Sequence, residues 1–173
     1  MKPARLLTSF IILSAVALLS ACALGATAEA ANEMSVLHQS AQVLCPARPA
    51  NAFSSPQLAS EGNVYRLACI FGAGHDTSIS MERFKSQTEA ESAFRAATLG
   101  HPSRDYHGSP AAAWEQPASL APEGKERIWI GQVARWLIRI KSFDDTAYAV
   151  TPDPGEVAET LYRNATALGM FSK

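Results

Sequence analysis

The sequence predicts an α+β domain: an antiparallel sheet of about four or five strands with helices packed on one side. Three observations lead there. Alternating apolar runs flank a glycine-containing turn at 72–76, and a second apolar pair fills 126–143. Three further segments carry apolar residues at helical spacing. Alternation at period two marks strands, recurrence near 3.6 marks helices, and short turns between strand pairs favour antiparallel pairing.

The elements follow in order. Met34, Leu37, Ala41 and Leu44 share one stripe, with Asn32 as an N-cap and Pro46 just past the end. Residues 46–62 hold three prolines and several small polar residues, and read as a loop. In 63–71, Val64, Arg66, Ala68 and Ile70 alternate with Tyr65, Leu67, Cys69 and Phe71; 77–84 alternates in the same way. These two runs form the first hairpin. Ser86 precedes Glu89 at capping-box spacing, Ala90, Ala93, Phe94 and Ala97 make a stripe, and Gly100 stops the helix. Residues 101–110 read as a polar loop, 111–116 as a strand and 117–126 as a turn-rich connection. The run 126–143 reverses between Gly131 and Arg135 to give a second hairpin. Asp153, Pro154 and Glu156 open the last helix, where Val157, Leu161, Ala165 and Leu168 line one face.

Ahead of this domain stands a leader. Lys2 and Arg5 are followed by an uncharged stretch from Leu6 to Ala28 with the apolar centre FIILSAVALL. A basic start, an apolar core and small residues beyond it describe a secretory signal peptide. Leu19-Ser20-Ala21-Cys22 resembles the lipobox of bacterial lipoproteins. The resemblance implies cleavage before Cys22, acyl chains on its thiol and amino group, and a mature chain that begins there. It divides the chain into a signal peptide at 1–21, a flexible tether at 22–33 and one domain at 34–173. Two other readings stand beside it: cleavage near Ala26-Thr27-Ala28 or Ala28-Glu29-Ala30, and an uncleaved anchor. The order of elements is similar to that of the PsbP-like α+β lipoproteins.

Composition narrows the partners. The chain has 15 basic and 16 acidic residues; loss of Lys2 and Arg5 leaves 13 against 16, a net charge of −3. No Lys/Arg run or basic aromatic stretch is present, which argues against nucleic acid. With Cys22 assigned to lipid, Cys45 and Cys69 remain, and an exported compartment favours their pairing as a disulfide.

Candidate chemistry is sparse. His101 and His107 flank Asp105, and His75 adjoins Asp76. Two imidazoles and a carboxylate suit zinc, but their spacing follows no metal-binding motif, so solvated loop histidines are the favoured reading. Neither GxSxG nor GxGxxG occurs. Trp129 and Trp136 occupy the second hairpin with Arg139. Strand aromatics ordinarily fill a core; on an uncovered face, these would form an amphipathic contact patch. Neither a catalytic residue, a metal nor a cofactor is expected. The expected protein is a lipid-anchored envelope module, non-catalytic, contacting the membrane through Cys22 and a second envelope protein. In a Gram-negative cell, Ala23 lacks the retention aspartate, and the resemblance then implies the outer membrane, facing the periplasm. The competing expectations are an envelope hydrolase or metal enzyme built on His75, His101 and His107, and a secreted inhibitor or immunity-type protein.

Overall fold

The computed structural model describes residues 32–41, 45, 56–71, 75–118, 124–144 and 152–171. Among the described residues, seven strands form one antiparallel sheet: β1 (Pro56–Glu61), β2 (Val64–Phe71), β3 (His75–Arg83), β4 (Arg104–Tyr106), β5 (Ser109–Pro117), β6 (Lys125–Val133) and β7 (Trp136–Asp144). Their spatial order is β1-β2-β3-β7-β6-β5-β4, so β7 returns to the middle and pairs with β3. Among the described residues there are three helices: α1 (32–41), α2 (Gln87–Ala97) and α3 (Pro154–Ala167). None is long and apolar enough to cross a membrane.

The α+β class and the antiparallel pairing agree with expectation, but the sheet has seven strands rather than four or five. The two additional strands are the edges. β1 lies within 46–62 and β4 within 101–110, both read as loops. Edge strands lack neighbours on one side, so their sequences need not alternate; Pro56 at the start of β1 is the edge position that proline tolerates.

The placement of the helices also needs correction. α1 and α3 cover one face through Val36, Leu37, Val157, Leu161 and Ala165, which pack with Leu67, Ile79, Met81, Trp129, Ile138 and Ile140. α2 covers the opposite face, where Phe94 meets Ala112, Ile130 and Leu137. The reason lies in β6 and β7. Trp129 and Ile138 point to the first face, Ile130 and Leu137 to the second, so these central strands are apolar on both sides. Burial of both sides demands a helix on each.

Local chemistry sets the helix ends. The Ser86 hydroxyl accepts from the Glu89 N–H at 3.2 Å, as the capping-box spacing predicts. The Glu89 carboxylate reaches back one residue further, accepting from the Lys85 N–H at 3.2 Å. Asp153 caps α3 through the Gly155 N–H at 2.7 Å, with Pro154 in the first turn. Cys45, beyond α1, is bonded to Cys69 in β2, with Cα atoms 5.6 Å apart. The expected disulfide is present.

Candidate binding surface

The turn between β4 and β5 is built on two left-handed residues, His107 (φ 50°) and Gly108 (φ 76°). Two consecutive positive φ values make a tight hairpin that matches strand twist. Asp105 secures it by accepting from the Gly108 N–H at 3.3 Å. The turn lays the His107 ring parallel to Tyr162 of α3, with centroids 4.2 Å apart and planes 6° from parallel. Nε2 of His107 then sits 2.8 Å from Oε2 of Glu159. The Tyr106 hydroxyl donates to the same oxygen at 3.3 Å, while its ring stands edge-on to Trp129 at 5.1 Å. The His107 hydrogen bond holds the Glu159 carboxyl below the usual carboxylate range, against a smaller opposing effect of desolvation. Burial, and then the Glu159 charge, push the Tyr106 phenol above its ordinary value. One carboxylate oxygen thus takes two donors and clamps the edge strand to α3.

The histidines that the sequence nominated do not converge. His107 lies against α3 on the first face. His101 stacks on Trp114, centroids 3.9 Å apart, and Trp114 packs with Ile128 beside the second-face cluster. The backbone of His75 and Asp76 begins β3, four strand spacings from β4, or about 19 Å. Asp105 is spent on its turn. Among the described residues no group of three His, Cys, Asp or Glu is placed to hold a metal. Cys22 lies outside the described residues.

The tryptophan patch is resolved in favour of the core. Trp129 and Trp136 are each 2% exposed. Alternation turns both indoles toward α1 and α3, so a contact patch cannot include them. Arg139, on the other face, is half-exposed and pairs with Glu82 at 3.2 Å.

Arg139 belongs to a wider surface. On the second face α2 packs on β6 and β7. The described residues place no helix over the second face of β1, β2 and β3. Cross-strand register aligns Ala59, Arg66, Ser80 and Arg139 in one row, and Gln57, Ala68, Ser78 and Lys141 in the next. Gln57, Ala59 and Arg66 are exposed; Ala68, Ser78 and Ser80 are half-buried. Four strands make this face about 14 Å across, room for one apposed helix of about 10 Å. Small side chains allow close approach, and the arginines supply charge. The signal for it was in the alternation: Arg66 and Ala68 in β2, Ser78 and Ser80 in β3, all on one side.

No family model matches the chain, and no curated protein matches it. A solved structure from Bacteroides thetaiotaomicron VPI-5482 is similar at 8% identity and a TM-score of 0.38. The similarity covers 61% of this chain and 39% of that one, and it is too loose to carry an argument.

Proposed function

We propose that this is a lipid-anchored cell-envelope protein whose domain is a non-catalytic module that docks a second envelope protein. The observation that carries the docking is the open second face of β1–β3, with Arg66 exposed at its centre and serines and alanines around it. A partner element that presents a carboxylate to Arg66 and lies along the small-residue rows fits this face. The anchor is supported by the LSAC stretch at Leu19 to Cys22 and by the uncharged leader before it. In a Gram-negative envelope, Ala23 favours the outer membrane and a domain facing the periplasm. The competing hydrolase reading requires His75, His101 and His107 in one pocket; His101 and His107 occupy opposite faces of the sheet.

Photocrosslinking in whole cells tests the docking face. A photoreactive residue at Arg66 yields a discrete adduct with one envelope protein, whereas the same residue at Leu99, which is 86% exposed, does not. Identical adducts from both positions, or none from Arg66, overturn the proposal.

A further inference from the structure

We propose that β1 is a docking edge for a second copy of this chain, the two copies pairing β1 to β1 in antiparallel register about Ala59. Among the described residues β1 has a single strand neighbour, β2, and Gln57, Leu58, Ala59, Ser60 and Glu61 are all exposed.

Register fixes which backbone groups of β1 face outward. The Asn63 carbonyl accepts from the Arg83 N–H at 2.9 Å, so Asn63 bonds toward β3. Alternate residues of a strand bond to opposite neighbours, so Tyr65 and Leu67 also bond toward β3, and Val64, Arg66 and Ala68 toward β1. Their partners Glu61, Ala59 and Gln57 therefore turn inward to β2. Leu58 and Ser60 are left with N–H and carbonyl groups directed out of the sheet, where no described strand meets them. Pro56 also turns outward, and it has no N–H to offer.

Sheet edges are ordinarily guarded against pairing by brevity, charge or proline. The opposite edge is guarded in this way: β4 is three residues long and carries Arg104 and Asp105. β1 is six residues long, and its stretch 57–60 holds neither a charge nor a proline. Such an edge accepts another strand.

The strand is its own complement. With the twofold axis at Ala59, Leu58 of each copy lies opposite Ser60 of the other, and every outward N–H of this pair meets an outward carbonyl. Pro56 falls outside the paired stretch. On the second face Glu61 of one copy lies opposite Gln57 of the other, a carboxylate against an amide donor. The two Ala59 side chains meet at the axis without crowding. With the axis at Leu58 instead, Ser60 would face Pro56, and its carbonyl would lack a donor. Pairing at Ala59 lays the two open β1–β3 faces side by side, with their Arg66 positions about 14 Å apart. It depends neither on the lipid anchor nor on what docks at Arg66.

Cysteine substitution in the full chain, oxidised in intact cells with copper phenanthroline, tests the pairing. Residues 57, 59 and 61 would form non-hydrogen-bonded pairs across the axis, with Cα atoms about 4.5 Å apart and within disulfide reach. Ala59→Cys should give a disulfide-linked dimer at no less than about five times the yield of Leu99→Cys, whose position is 86% exposed on another part of the surface. Gln57→Cys and Glu61→Cys should each give little dimer alone and crosslink to one another when co-expressed. Equal yields from Ala59→Cys and Leu99→Cys overturn the proposal. So does a higher yield from Leu58→Cys than from Ala59→Cys, which would place the axis elsewhere. An Ala59→Cys adduct with the mass of a different protein overturns it as well.

Discussion

His107 Nε2 and Glu159 Oε2, 52 residues apart in sequence, meet at 2.8 Å and join the β4–β5 turn to the middle of α3. No local pattern in the sequence announces that pairing. It holds an edge strand of only three residues, Arg104–Tyr106, which has a single strand neighbour in the sheet.

The pairing makes stability depend on acid. Glu159 has a folded-state pKa below its unfolded value, chiefly because of the His107 hydrogen bond. Its contribution is therefore complete above the unfolded value of about 4.3 and is lost as pH falls through the lower folded value. Denaturant midpoints measured between about pH 5 and pH 2 should fall more steeply for the wild type than for Glu159→Gln. The Glu159 side chain is 45% exposed, so salt should shrink the difference. Parallel profiles would show that the pair contributes nothing.

Gly131 is tied to Trp129. Both point to the first face of β6, and a Cβ at Gly131 would overlap the Trp129 indole. Ala111, across from Gly131 in β5, and Ala113, across from Trp129, are the other small residues that admit the ring. Trp129 is enclosed and has little room to shift. Gly131→Ala should destabilise the fold by ~1–3 kcal/mol through overpacking. An unchanged thermal midpoint would contradict this account of the glycine.

The Cys45–Cys69 bond closes a loop across a sequence separation of 24. In the chain-entropy model a loop of this size contributes ~3 kcal/mol. Replacing both cysteines by alanine should lower the denaturation free energy by about that amount, and reductant should then leave the variant unaffected. Equal stability of the two forms would show that the reduced chain is already constrained.

How far these features were legible follows from where each element sits. β2, β3, β6 and β7 occupy the middle of the sheet, so their apolar alternation is strong and local. α2 and α3 carried capping residues, Ser86 and Asp153, at interpretable spacing. β1 and β4 escaped because edge strands obey the neighbour they pair with more than any pattern of their own. Ile130 and Leu137 were visible as apolar residues on the reverse of the second hairpin, and they are what draws α2 to the second face. The Arg66–Ser80 part of the row follows from alternation in adjacent strands, but its extension to Arg139 depends on register between β3 and β7, distant in sequence, which a single sequence does not display. The same holds for the burial of Trp129 and Trp136: only the placement of α1 and α3 decides which face is covered.

Intact-mass and N-terminal analysis of the processed chain, extracted from membranes, bears on the anchor most directly. The account predicts a polypeptide that begins at Cys22 and carries acyl groups on that residue, absent from a Cys22→Ser variant. An unmodified terminus beyond residue 22, or a retained leader, would contradict it.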